Sequence, residues 1–235
     1  ITRFRIMDGM SSCEIGFKSV DTTAYDFTVE EEGKHPVVTS IVEGEGIVAP
    51  SSVTMHGGLQ GTTNALSVVW RDDGISSYTY RVKYWETGGA ETIVTTSNEI
   101  NHVYVPNVNI GSEYNVQVQS LASGGKTSDY STAVVDTLTL DGSTPSVPIS
   151  VSINNLIISG EMPTDDNLIG VVLYQNSVDT FGTATKLSTT YVPPSTLTET
   201  ETFAITVTQD TGPSTFYWIL SLSSSNIESS AVAVT

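Results

Sequence analysis

Histidines, paired carboxylates and aromatic side chains are the residues of this chain with chemistry to offer, and their spacing decides whether they offer it together. His35, His56 and His102 fall in three different segments, and none is followed by a second donor at metal-ligand spacing. Zinc needs three or four clustered donors, so these read as surface or strand-end histidines. Cys13 is alone, which excludes an intrachain disulfide and a thiolate cluster. Asp165-Asp166-Asn167 offers oxygens to calcium but lacks the spaced carboxylates and closing Glu of a calcium loop. It reads as a solvated turn, as does Asp72-Asp73 before Gly74. Neither a Gly-x-Ser-x-Gly elbow nor a Gly-x-x-x-x-Gly-Lys phosphate cradle occurs, and nothing singles out a pair among the 26 acids for glycoside hydrolysis. Trp85, Tyr78 and Tyr191 are candidates for stacking on sugar rings, the commoner use of such residues being at rims and interfaces. The expectation is no catalytic, cofactor-binding or metal residues, no cofactor, and no enzyme activity.

The elements that would carry these side chains are strands. Ser, Thr and Val abound, helix formers dominate no window, and 19 Gly and 9 Pro separate short apolar runs over 235 residues, the composition of an all-β chain. Its organising stretch is 108–121, where Tyr114, Val116 and Val118 alternate with Asn115, Gln117 and Gln119, as in a half-buried strand. Val108, Ile110 and Ser112 precede Tyr114 at the spacing of a sandwich corner. Tyr114 is therefore the expected tyrosine-corner residue, ring in the core and hydroxyl bonded to nearby backbone.

From residue 50 to 138, short strands arrive at sandwich spacing: 52–55, 66–70, 80–84, 92–96, 102–105, the organising strand, and 131–137. Residues 139–145 are a turn-rich linker. Seven further runs follow, at 149–152, 156–159, 169–174, 185–188, 203–207, 215–222 and 231–234, with Phe216 expected in the place that Tyr114 holds in the first module. Ahead of both, Phe4 and Ile6 alternate with Arg3 and Arg5, and Cys13, Ile15 and Phe17 with polar or small residues, about an Asp8-Gly9 turn signal, which predicts a β-hairpin. Two strands do not stand alone in water, so this hairpin is expected to complete a larger sheet, with Tyr25 and Phe27 packed back onto it. Glu30-Glu31-Glu32-Gly33 reads as a solvated connection, and 43–50 as a linker. The chain opens on Ile1 in strand-like sequence and reads as part of a longer polypeptide. The division is thus 1–48, a hairpin part of a hub-like domain; 49–140, one sandwich; and 141–235, a second.

The net charge of −17 is spread over all three: four basic against nine acidic residues in 1–48, four against eight in 49–140, and one against nine in 141–235. An acidic chain repels phosphates, so nucleic acid and anionic membrane are poor partners. No apolar run approaches the ~18 residues of a membrane span.

Trp70 on the second strand, the Tyr80-x-Val82-x-Tyr84 triplet and the 108–118 corner, without a cysteine pair, resemble a fibronectin type III module across 50–138. Ile110 departs from that family, which usually has Pro there. A hairpin at 4–17, Tyr25-Asp26, and then tandem modules at 50–138 and 146–235 resemble the tail-tip host-specificity protein of long-tailed bacteriophages, the J-type central tail protein. That resemblance implies a virion structural protein at the tail tip, extracellular and homotrimeric. It would link the hub to a receptor-binding end, with tail-tip or baseplate proteins and, through regions outside this chain, a host cell-surface receptor as partners. The alternatives are spacer modules of a secreted carbohydrate-active enzyme, and a surface adhesin.

Overall fold

The computed structural model describes residues 3–6, 13–16, 46–71, 78–97, 100–208 and 215–235. The chain divides at Gly46 into two compact units. In the first, β1 (Arg3–Ile6) pairs antiparallel with β2 (Cys13–Gly16), Phe4 opposite Ile15. The Asp8-Gly9 turn, Tyr25-Asp26-Phe27 and the acidic run at 30–33 lie outside the described residues, as do His35 and Asp72-Asp73-Gly74.

The second unit, Ile47–Thr235, contains two immunoglobulin-like β-sandwiches in tandem. In the first, β3 (Thr54–Gln60), β4 (Thr63–Val69) and β7 (His102–Pro106) form a sheet in the order β3-β4-β7. It faces a second sheet in the order β6-β5-β8-β9, built from β5 (Thr79–Glu86), β6 (Thr92–Thr95), β8 (Glu113–Leu121) and β9 (Val134–Thr137). The second sandwich repeats this plan. Its three-stranded sheet is β10-β11-β14, from β10 (Ile149–Asn154), β11 (Ile157–Glu161) and β14 (Thr202–Thr206). Its four-stranded sheet is β13-β12-β15-β16, from β12 (Leu168–Asn176), β13 (Thr185–Tyr191), β15 (Phe216–Ser223) and β16 (Val232–Ala233). A short 3-10 turn at Phe181–Thr183 is the sole helical piece among the described residues, and no helix there is long and apolar enough to cross a membrane.

Alternation puts Leu66, Val68 and Trp70, Tyr80 and Val82, and Val116 and Val118 into one core, all essentially inaccessible to solvent. On the opposite face of β8 the amides are held down: Asn115 Nδ2 donates to Thr87 Oγ1, Gln117 Nε2 to Ser131 O, and Gln119 Nε2 to Ser128 O. The tyrosine corner is formed. Tyr114 is 5 % exposed, and its hydroxyl accepts the backbone N–H of Asn109 at 3.2 Å, with Ile110 packed against the core in the place of the usual Pro. Tyr114→Phe removes that acceptor and leaves the Asn109 N–H without it. The expected loss is about 1–2 kcal/mol, read as a lower urea midpoint at unchanged slope; an unchanged midpoint would dissociate the bond from stability.

Two expectations are corrected. The first strand begins at Thr54 and runs through Gly57 and Gly58 to Gln60, because its register with β4 continues opposite Leu66 and Ala65. Phe216 does not stand where Tyr114 stands. In β15 it is Tyr217 and Ile219 that pack into the second core, so Phe216 belongs to the other face. The hairpins that follow fix the equivalence. Ser120 N–H bonds Ser128 Oγ in the first sandwich, and Ser221 N–H bonds Ser229 Oγ in the second. Position 114 therefore corresponds to Thr215, which has no ring to place in a core.

Candidate functional site at the contact between the sandwiches

A half-buried strand has one wet face, yet Ser67 and Val69 on the outer face of β4 are as inaccessible as the core residue Val68 between them. They are covered by the second sandwich. Val69 meets Ile169 and Val172 of β12 and Leu222 of β15, with Tyr104, Tyr174 and Tyr191 packed around them. The outer face of β3-β4-β7 thus lies on the outer face of β13-β12-β15-β16, and the four buried aliphatic side chains contribute about 1.5–3 kcal/mol each relative to exposure.

Polar groups close this contact on three sides. Arg71 forks onto the carboxylate of Glu201, with Nε donating to Oε2 at 3.0 Å, and also reaches Glu199. Glu201 is almost fully buried, so the bidentate pairing is what makes its charge tolerable there, and the two carboxylates raise the guanidinium pKa. Asn101 Nδ2 donates at 2.8 Å to Trp70 O of the first sandwich and to Tyr191 O of the second. On the third side the turn after β15 docks on the free edge of β3. Leu59 N–H bonds Ser224 O at 3.2 Å, Ser224 Oγ donates to Gly57 O at 2.9 Å, and Asn226 Nδ2 donates to Leu59 O. An open sheet edge is thereby capped within the chain.

Of the two histidines among the described residues, His56 is half-buried on β3 and His102 stands at the start of β7, a strand end that is covered. His102 is 5 % exposed. Its ring is stacked on Tyr191 (4.0 Å between centroids, 9° between planes) and set edge-on to Tyr104 (4.5 Å, 85°), and its Nε2 shares a hydrogen bond with Ser67 Oγ at 3.0 Å. Burial lowers its pKa to about 3. His56, on β3, has a solvent-shielded Nε2 without a hydrogen-bond partner; burial lowers its pKa to about 4, against the opposing pull of Asp136 and Asp166. Both values lie below the ordinary 6.5, so the unfolded chain takes up protons that the folded chain refuses. The stability tied to the neutral rings is complete above pH 6.5. It is lost as pH falls toward 3, by up to about 1.4 kcal/mol per pH unit for each histidine.

The other sequence candidates are engaged in the fold. Asp165 accepts from Ser146 N and Oγ at 3.1 Å, and Asn167 Nδ2 donates to Asp141, whose carboxyl pKa is lowered by hydrogen bonds from Ser143. No group of three or more His, Cys, Asp or Glu among the described residues is placed to hold a metal ion. Tyr191 lies half-buried against His102. Tyr78 packs against the first core, and the Lys83 ammonium sits over both Trp85 and Tyr130, 5.3 and 4.7 Å from their ring centres. Each of the three aromatics is partly exposed. A groove of about 630 Å³ runs beside Arg71, Asn101, Tyr191 and Glu201, but the one cation on it is already neutralised by Glu199 and Glu201.

The contact had a signal in the sequence. In 168–173, Leu-Ile-Gly-Val-Val-Leu, apolar residues are continuous instead of alternating, which marks a strand buried on both faces.

No family model matches the chain. No curated protein matches it. Among solved structures it is similar to the chicken CNTN1 FN1–FN3 domains, with 19 % identity and a TM-score of 0.35 over 79 % of this chain, which spans 64 % of that one. It is also similar to the two fibronectin type III domain segment of chicken tenascin, with 16 % identity and a TM-score of 0.32 over 78 % of this chain and 96 % of that one. The third fibronectin III domain of the human KIAA0343 protein gives 24 % identity and a TM-score of 0.35 over 48 % of this chain and 98 % of that one. All three are fibronectin type III proteins, and the likeness is one of fold.

Proposed function

We propose that this chain is a chemically inert spacer whose task is geometric: the rigid arm of a bacteriophage tail tip, carrying a receptor-binding end away from a hub as part of a homotrimer. The observation that carries the geometric part is the buried contact between the sandwiches, which fixes one module on the other where a flexible linker would leave them independent. The tail-tip part is supported by the order of pieces, a β1–β2 hairpin followed by two sandwiches. Light scattering on the purified chain tests the assembly, with a mass of three chains expected. Antibody raised against 47–235 should label the tail tip of virions of the encoding phage. Recovery of the protein in virion-free medium, joined to a catalytic domain, would replace this reading with a spacer of a secreted carbohydrate-active enzyme. Turnover of polysaccharide, peptidoglycan or ester substrates, abolished by a single Asp or Glu substitution, would refute inertness.

A further inference from the structure

We propose that the contact between the two sandwiches is an acid-released latch with His102 as its trigger: charging the imidazole separates the modules while each keeps its own core. His102 projects from the outer face of β7 and is buried because the second sandwich lies on it. Every group that faces it is uncharged. Ser67 comes from β4, Tyr104 from its own strand and Tyr191 from β13; the phenol of Tyr104 is pushed up to about 12 and that of Tyr191 is raised, both chiefly by burial. An imidazolium there has no carboxylate to pair with, and the tyrosine rings return only part of the hydration it gives up. The low pKa of the closed state expresses that balance.

The charged groups elsewhere on the contact do not relieve His102. Arg71 is committed to Glu199 and Glu201. Asp136 and Asp166 face His56, whose protonation they favour, which makes it the weaker trigger. Opening is also the cheapest opening available to this unit. Four buried apolar residues form the contact, against twelve in the first core and ten in the second among the described residues, so the contact is the least stable cooperative element.

In the open state His102 meets water and titrates near 6.5, while in the closed state it titrates near 3. The open-to-closed ratio should rise by up to about tenfold per pH unit below 6.5, or roughly 300-fold by pH 4. The test uses the whole chain with Cys13→Ser and spin labels on Thr132→Cys and Thr206→Cys, exposed positions on the two sandwiches. The distance distribution should be single and narrow at pH 7.5, and a broad, longer component should grow below pH 6. The tryptophan bands of the near-UV circular dichroism, to which Trp70 in the first core contributes, should persist, while the tyrosine bands change as Tyr104 and Tyr191 are freed. His102→Phe keeps the stacking and His102→Gln keeps a partner for Ser67; neither can charge, so the broad component should be suppressed in both. If one variant fails to fold at pH 7.5, the other decides. A distribution that stays narrow to pH 4, equal growth in the uncharged variants, or loss of the tryptophan near-UV bands together with the separation would each overturn the proposal.

Discussion

Trp70→Ala should destabilise the first sandwich by about 3–5 kcal/mol, the usual cost of truncating a buried tryptophan. The side chain has no solvent exposure, and its ring meets Tyr80 edge-on at 5.0 Å and 61°. It shares its core with Met55, Leu66, Val68, Val82 and Val118. Its indole nitrogen has no hydrogen-bond partner, so alanine removes packing without stranding a polar neighbour, and the expected cost is the transfer and cavity contribution alone. A domain of this size is stable by only about 5–15 kcal/mol, so the loss takes a third or more of the total. In a denaturant titration the first sandwich should unfold well before the second, separating one transition into two. A loss below about 1 kcal/mol would show that Trp70 is not a core residue.

Sequence made that residue legible because period-two alternation reports which side chains share a face. Leu66 and Val68 in β4 with Trp70 just beyond it, Tyr80 and Val82 in β5, and Tyr114, Val116 and Val118 in β8 read as the alternating apolar sets of their strands, and all are buried. Alternation does not report what covers the other face. His102 reads as a surface or strand-end residue and Tyr191 as a stacking, rim or interface aromatic; His102 does open β7, but it is shielded by the second sandwich, whose Tyr191 stacks on it. The same limit misplaced Phe216: in a strand apolar on both faces, as in Phe216-Tyr217-Trp218-Ile219-Leu220, hydrophobicity cannot choose the inward set. Phe181 settles it sterically, folding back near Trp218 and Tyr174 on the outer side. The Arg71 to Glu201 pairing was likewise beyond reach, since nothing in either residue's neighbourhood encodes a partner 130 positions on.

Gly58→Val is expected to release the second sandwich from the first without unfolding either. A Cβ on Gly58 would stand 2.1 Å from the carbonyl oxygen of Ser224 and 2.8 Å from its carbon, and both belong to backbone, which cannot rotate away as a side chain could. Within β3 itself the substitution is favourable, since valine suits an extended strand better than glycine and the strand keeps its register with β4. The damage therefore falls on the contact. The bonds from Leu59 N to Ser224 O, from Ser224 Oγ to Gly57 O and from Asn226 Nδ2 to Leu59 O are displaced. At about 1 kcal/mol net for each, roughly 3 kcal/mol is lost before Val69, Val172 and Leu222 are exposed. The expected result is a broad spin-label distance distribution already at pH 7.5, with faster proteolysis in the linker at 139–145. Gly142→Ala, where an added Cβ meets nothing within 4 Å, serves as the neutral control in the same linker. A narrow distribution and unchanged proteolysis in Gly58→Val would mean that the turn after β15 does not hold the modules together, and the rigidity of the arm would have to rest on the Arg71 and Asn101 side of the contact alone.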